Sequence, residues 1–481
     1  MKRSYHISLA LFVLMISVPM AAQQNLRSAY FLDGYTYKYK MNPAMASERG
    51  FFAMPILGNV GVGIESSLGL SDFLYPTESG RLTTFLSPRV SSEEFLSRVS
   101  ENNKSNINLD LGIVAFGFWT GKLFHTFDVS ARMDFGMNMP GGFLRFMKLG
   151  ATEGNTAWDI SNIGMRMSSR VDIAYGLSRS FLDESLRVGL RAKLLLGMAT
   201  ADVAMDKMSM EMSSSRWAID AHGQMHVSLP GSFMTKGENG TAEDPAQNDL
   251  VDWSSLDTDG IVEGLKTPSM GFAIDLGATY DFLDYFTASL SILDMGMMSW
   301  KNSMTAETPA TSWEFNGFEN PDVDKIGEQL SKMTEDMMSA FNFEMKERDM
   351  KKSSPLAMTI NAGIEARMPF YERLSFGLLY TQRIEGAYSW SEGRLAATLT
   401  PVKWFGVTTN YAYSHFGHSW GGALNLNFPG FGIFLGMDSF APLLNVTPQF
   451  IPVNSINTNL AFGINFNFGK YHGRFTKKDK E

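Results

Sequence analysis

The stretch from Phe124 to Met139, FHTFDVSARMDFGMNM, alternates strictly. Phe127, Val129, Ala131, Met133, Phe135 and Met137 are apolar, and Asp128, Ser130, Arg132, Asp134, Gly136 and Asn138 between them are polar or small. Successive side chains of an extended chain point to opposite faces, so this is a strand with one apolar face and one wet face carrying both signs of charge. The pattern recurs at 170–178, 186–194, 272–282 and 358–367, and in weaker form from Val60, Ile107, Trp217, Phe286, Leu374, Leu395, Phe405, Trp420, Phe431 and Leu460. Each run covers about 8 to 13 residues, and a tilted strand crosses a bilayer in about 9 to 11.

The connections alternate in length. Short ones fall at Trp119–Leu123, Ser180–Glu184, Leu283–Tyr285, Pro369–Arg373, Pro401–Trp404 and Pro429–Gly430, and long ones at 138–169, 230–270, 295–355 and 439–457. Membrane barrels have short periplasmic turns and long external loops, so the parity matches a transmembrane antiparallel up-and-down β-barrel. An odd strand remains between Met198 and Leu229 unless Val203–Glu211 is a further one, which gives about 14 to 16 strands. Pro321–Arg348 breaks the strand period: Ile326, Leu330, Met333, Met337 and Phe341 recur at helical spacing behind Asn320 and Pro321. Ser91 with Glu94 opens a short capped helix, and 231–268, rich in Gly, Asp, Asn and Thr, reads as a mobile loop.

The N-terminus reads as a secretory signal over residues 1–22, because Lys2 and Arg3 precede an apolar run, Ile7–Val18, and then Met20-Ala21-Ala22. No later apolar stretch is long enough for a spanning helix. With 0 Cys, a lipidated N-terminus and a disulfide framework are both excluded. A net charge of −9 argues against nucleic acid as a partner. Mean hydropathy, −0.09, does not separate a soluble protein from a barrel, since only alternate residues of a barrel touch lipid.

If the apolar rows face acyl chains, the polar rows share a lumen. Asp128, Arg132, Asp134, Arg170, Asp172, Arg187, Arg191 and Lys193 then form a lumen charge network on adjacent strands. Opposite charges so placed pair across strands. Two readings stand: a stapling network that neutralises the interior, or a lining that guides a solute. A soluble sandwich with packed apolar faces is the competing fold. Trp119, Trp217, Trp300, Trp390, Trp404 and Trp420 lie near expected strand ends and read as an interfacial girdle. The 32 Met residues read as flexible filling, with a Met-lined apolar pocket as the other option.

Ahead of the first strand comes Met41-Asn42-Pro43-Ala44-Met45-Ala46, and the segment NPAMASERGFFAMPILGNVGVG resembles the N-terminal hatch of FadL-like outer-membrane proteins. With ASLSILDMGMMSW (288–300), it looks like a Bacteroidota branch of that superfamily, related also to the PorV-like barrels of type IX secretion. Independently, Pro43 fixes φ and keeps Asn42 out of the α region, so the pair makes a rigid turn. The resemblance implies that Asn42 and Pro43 hold a plug, with a plug or hatch at 23–58, a barrel at 59–469 and a basic periplasmic tail at 470–481. It also implies an outer-membrane location, contact with outer-membrane lipid, and binding or passive transport of a hydrophobic small molecule. The alternative partner is a secretion or surface protein docked on the external loops. The last strand would end on Phe468, with a solvated tail beyond.

An enzyme is not expected, and no cofactor or metal is called for. His222 and His226 are four apart on one strand, about 13 Å, too far to share a metal. His415 and His418 flank a turn without a carboxylate nearby in sequence, and His125 stands alone. Asp257-Thr258-Asp259-Gly260 is only a fragment of a calcium loop.

Overall fold

A sheet that meets lipid on one face cannot leave its edges unpaired, because the hydrocarbon offers no partner for backbone N–H and C=O groups. The computed structural model solves this by closure. It describes residues 26–77, 82–150, 157–213, 216–229, 234–255, 268–309, 313–315, 342–440 and 457–472. The fold is all-β, a closed antiparallel barrel of 14 strands. In chain order these are β1 (Gly50–Ala53 and Val60–Ser66), β2 (Asn102–Thr120), β3 (Leu123–Pro140), β4 (Ile163–Phe181), β5 (Leu186–Met212), β6 (Trp217–Ser228 and Ser269–Phe282) and β7 (Phe286–Glu307). They continue as β8 (Glu344–Pro355 and Met358–Met368), β9 (Tyr371–Ile384), β10 (Trp390–Val402), β11 (Phe405–Ser414), β12 (Gly417–Phe428), β13 (Phe431–Met437) and β14 (Asn457–Phe468). The ring closes where β1 pairs with β14, Val60 opposite Phe462 and Gly50 opposite Phe468.

The six short turns expected from the sequence join β2–β3, β4–β5, β6–β7, β8–β9, β10–β11 and β12–β13 at one end of the barrel. The extra strand at Val203–Glu211 is absorbed, because Leu186–Met212 is one continuous strand of 27 residues. Its lower part pairs with the lower piece of β6 and its upper part with the upper piece, Gly197 opposite Ser269 and Thr200 opposite Ser228. The connection 230–268 therefore interrupts one strand rather than joining two. Its described part is folded rather than loose: Thr235 bridges Val251, and Asp252 accepts hydrogen bonds from Thr241 and Ser254. Of the helix expected at Pro321–Arg348, 321–341 lies outside the described residues and 344–348 opens β8 as strand. The short helix is present as Ser92–Leu96, with the Ser91 hydroxyl accepting from the Glu94 N–H at 3.1 Å.

The outward rows are apolar and exposed, among them Leu190, Leu194, Phe272, Leu290, Leu378, Leu395 and Leu435. Phe181, Tyr280, Phe370, Tyr371, Trp404, Phe428 and Phe468 stand at or near the short-turn ends, and Tyr413 and Trp420 near the opposite ends. This is an interfacial aromatic arrangement in which Trp404 and Trp420 stand as expected from sequence, but Trp300 and Trp390 do not. Trp300 and Trp390 are each 2% exposed and point inward. Trp390 opens β10, whereas Trp300 lies within β7 rather than at its end.

Residues 26–49 lie inside the ring as a plug. Tyr30, Tyr35, Tyr37 and Tyr39 are buried there, and Tyr35 and Tyr39 meet Phe434 and Phe51 of the wall at 4.9 and 6.0 Å between ring centres. The wall makes room with glycines. A methyl group on Gly277 would stand 2.1 Å from Asn42 Oδ1, and one on Gly189 would stand 2.1 Å from the Pro43 carbonyl carbon. Only a residue without Cβ allows the plug backbone this close.

A lobe stands above the barrel. Twenty-seven residues far exceed the roughly 9 to 11 that cross a bilayer, and the upper parts of β5–β8 with the short strand Ala157–Asp159 share a second core of Trp158, Met205, Met210, Met225, Met304 and Phe343. Arg348 on β8 forks onto Glu238 of the excursion at 2.7 and 2.6 Å, and this hydrogen bonding holds the Glu238 carboxyl down to about 2.

The substitution Gly277→Val is expected to push the plug off the wall, at the roughly 1–3 kcal/mol typical of overpacking. The chain has 0 Cys, so a single cysteine at Ala44 reports plug position: its maleimide labelling in the folded barrel accelerates in the Val variant and not in Gly393→Ala, where a methyl meets nothing within 4 Å.

Candidate functional site

A buried cation is tolerated only where carboxylates and hydrogen bonds replace its water. The plug carries two. Arg27, in a 3-10 turn (Arg27–Ala29), contacts Glu65 on β1 at 2.5 Å, Glu392 on β10 at 3.1 Å and Asp438 after β13 at 3.7 Å. Trp390 lies flat under it, 4.9 Å from guanidinium carbon to ring centre. Arg394 completes this cluster, 2.9 Å from Glu392. Lys40, ending a second turn (Thr36–Lys40), reaches Asp110 at 3.2 Å and Asp128 at 4.0 Å.

From Lys40 the pairs continue around the wall. Asp128 binds Arg191 at 2.6 Å, Arg191 binds Asp275 at 3.0 Å, and Lys193 bridges Asp275 and Asp294 at 2.7 and 2.6 Å. Arg132 joins Asp110, Asp172 and Asp294 at 3.2–3.4 Å. Arg170 joins Asp172 and Asp134, and Arg383 joins Asp134 and Glu385. The structure thus places Asp128, Arg132, Asp134, Arg170, Asp172, Arg191 and Lys193 in one contiguous set. Arg187 stands apart: it sits beside the β4–β5 turn, donates to Ser180 Oγ at 3.1 Å and lines the lower mouth. Sequence reasoning missed Asp110, Asp275, Glu392 and Arg394, which occupy the same polar rows and were available to the same argument. Asp294 was hidden by a bulge in β7 opposite Ile274–Leu276, where it takes φ +58 and turns inward.

Asn42 is fully buried. Its Nδ2 donates to the Ala278 and Leu290 carbonyls, both at 3.3 Å, and its Oδ1 accepts from the Ala44 N–H at 3.0 Å. The Met41 carbonyl accepts from Ser291 Oγ at 2.7 Å and Asn361 Nδ2 at 3.0 Å. The Asn42-Pro43 turn therefore seats on β6, β7 and β8.

The plug divides the lumen. Below it, a vestibule of about 1060 Å³ is lined by charged groups such as Lys38, Arg187, Arg367, Glu184 and Glu365. Above it, a cavity of about 670 Å³ is lined by Ile163, Met205, Met298, Trp300, Leu356, Met358 and Ile384, together with charged groups from Asp134 on β3 round to Arg383 on β9. Between them lies a void of about 60 Å³ among the network residues. The upper cavity borders the break in β8, where Pro355–Met358 separates the two pieces. Above that break β8 pairs with β7, while β9 ends opposite Met358.

The tail does not run straight into solvent after Phe468. Gly469 turns at φ +77, the His472 N–H donates to the Glu48 carbonyl at 2.7 Å, and its ring stacks on Trp119 at 4.3 Å. Trp119 Nε1 in turn donates to the Ser47 carbonyl at 3.0 Å. Burial, with Arg187 and Lys470 nearby and Glu184 opposing, lowers the His472 pKa.

Among the described residues the remaining histidines are not gathered into a catalytic group. His125 bonds Thr120 and Tyr175 at 2.7 and 2.8 Å, His418 bonds Tyr411 at 2.5 Å, and His222 stands 3.9 Å from Asp206 in the exposed lobe. His226 is buried beside the upper cavity. Among the described residues no set of three His, Cys, Asp or Glu is placed to hold a metal; Asp257–Gly260 lies outside them.

A family model described as DUF5723, a family of unknown function, matches residues 43–438. The chain belongs to this family. No curated protein matches it. Among solved structures it is similar to the Ralstonia pickettii toluene transporter TbuX, at 9% identity and TM-score 0.40 over 90% of this chain and 93% of that one. It is also similar to the Pseudomonas putida toluene transporter TodX, at 8%, 0.37, 93% and 98%, and to a Pseudomonas aeruginosa FadL homologue, at 10%, 0.34, 93% and 100%.

Replacing Arg27 by Met takes the cation from Glu65 and leaves Glu392 and Asp438 to share Arg394, and stability is expected to fall by about 3–5 kcal/mol, the usual cost of orphaning buried charge. Denaturant unfolding of the purified barrel measures it; a change under 1 kcal/mol contradicts the anchoring role. The His472 latch should weaken in acid. A lowered bound-state pKa means the released tail binds more protons, so attachment is complete above the ordinary value of about 6.5 and is lost as pH falls through it. A spin label at Lys470→Cys should gain mobility between pH 7.5 and 5.5, and His472→Phe should remove that dependence.

Proposed function

We propose that this chain is an outer-membrane barrel that binds a hydrophobic small molecule in the upper cavity and passes it on passively when the plug shifts. The observation that carries this reading is the cavity itself: methionines, Trp300, Leu356 and Ile384 gathered in a lumen that is otherwise charged. Apolar walls beside fixed polar groups make a ligand site, here with most of the lining charges already paired, and flexible Met side chains suit occupants of uneven shape. The resemblance of the Asn42–Ala44 segment to a FadL-like hatch agrees with it. Entry runs from outside, past the break in β8. Onward passage requires the plug to move, since the space between the two chambers holds little more than a water or two.

A second reading, docking of a secretion or surface protein, draws on the external lobe. The upper piece of β8 carries Lys346, Arg348, Lys351 and Lys352 along a strand whose described ladder is made with β7 on one side.

Filling the cavity separates the two. Met298→Trp is expected to reduce binding of a long-chain hydrocarbon probe to the nanodisc-embedded barrel at least tenfold, with the barrel still folded. Unchanged binding, together with co-purification of a surface protein that disappears when 344–355 is shortened, would favour docking instead.

A further inference from the structure

The upper cavity has polar atoms that no described residue hydrogen-bonds. Asp202 on β5 and His226 on β6 are directly opposed in the strand register, and both line the cavity. His226 is 9% exposed, and its Nε2 is buried with no hydrogen-bond partner among the described residues. Asp202 accepts no hydrogen bond from any described residue, although Arg166 and Lys352 act on it electrostatically. Buried polar groups are normally satisfied, and one left unsatisfied on the wall of an apolar cavity marks where a ligand atom belongs.

The cations facing the same space are already engaged. Arg170 holds Asp134 and Asp172, Arg383 holds Asp134 and Glu385, and Arg166 holds Glu385. Lys352 is not among the lining residues, whereas Asp134, Asp202, Asp206, Asp294 and Glu385 all are. A carboxylate head entering here meets acid groups and finds no guanidinium free to receive it.

We propose that Asp202 and His226 are the polar anchor of this cavity, and that they select an apolar molecule bearing one hydrogen-bond donor, a hydroxyl or amine, over one ending in a carboxylate. The donor bonds the Asp202 carboxylate, the His226 imidazole completes the contact, and the apolar body lies along Met205, Met298 and Trp300. This rests on the cavity being a ligand site.

The test uses the full-length barrel in nanodiscs, with decane, decanol and decanoate as probes. The shift of Trp300 emission on binding is read against Trp300→Phe as the optical blank, after correction for partition into lipid. Decanol is expected to bind on the order of tenfold more tightly than decanoate, the size of one charge-assisted hydrogen bond. Asp202→Asn, which keeps shape, and His226→Phe should each lower decanol affinity several-fold while leaving decane unchanged. Decanoate binding as tightly as decanol, or a decanol-to-decane ratio unmoved by both variants, overturns the anchor while leaving the cavity a hydrocarbon site. Failure of all three probes, decane included, overturns both.

Discussion

The contact on which the rest depends is between the plug cations and the acidic wall. Glu65, Glu392 and Asp438 converge on Arg27, and Asp110 and Asp128 converge on Lys40. Without the plug those carboxylates share an interior with too few cations on the wall beside them, and like charges at such separations repel strongly where water is scarce. Without the wall, Arg27 and Lys40 have nothing to replace their hydration. Ring and plug are therefore one electrostatic unit. The network also fixes register, because slipping any strand by one residue would send its charges to lipid and its apolar row to the lumen.

Geometry reinforces the same seat. Asn42 donates to two wall carbonyls, Gly189 and Gly277 leave the space that Asn42-Pro43 fills, and Ser291 and Asn361 take the Met41 carbonyl. These neutral contacts are short-ranged and place the turn. The ion pairs set the depth at which the plug settles.

How much of this was legible in the sequence follows from where period 2 holds. It holds through β3, β4 and the lower part of β5, so the inward placement of Asp128, Arg132, Arg170, Asp172 and Arg191 was readable from alternation. It fails at bulges and breaks. Register shifts beside Arg170 and at His222/Gly223, and the interruptions after Ser228 and Pro355, shift the alternation or split a strand. Hence Val203–Glu211 reads as a separate strand when it is the upper part of β5, Asp294 is missed, and Trp300 reads as part of an interfacial girdle when it faces the cavity. Arg27 and Lys40 were invisible for a different reason: they lie in irregular chain with no period to read, and their partners are remote in sequence, from 38 residues away for Glu65 to 411 for Asp438.

The plug is not held equally along its length. From Arg27 to Asn42 it is fastened by buried ion pairs, and orphaning a charge in such a pair costs about 3–5 kcal/mol. From Ala44 to Arg49 it is fastened mainly by neutral hydrogen bonds from Ser178, Trp119 and His472 to its carbonyls, each worth about 0.5–1.5 kcal/mol. An apolar molecule of the kind proposed for the upper cavity has no charge to trade with Arg27 or Lys40, so its arrival would not release the strongly held part. The segment that yields with least cost faces the lower vestibule, where the tail lies across it. Under the proposed function, control of passage would sit at the short-turn end of the barrel and recognition at the lobe end.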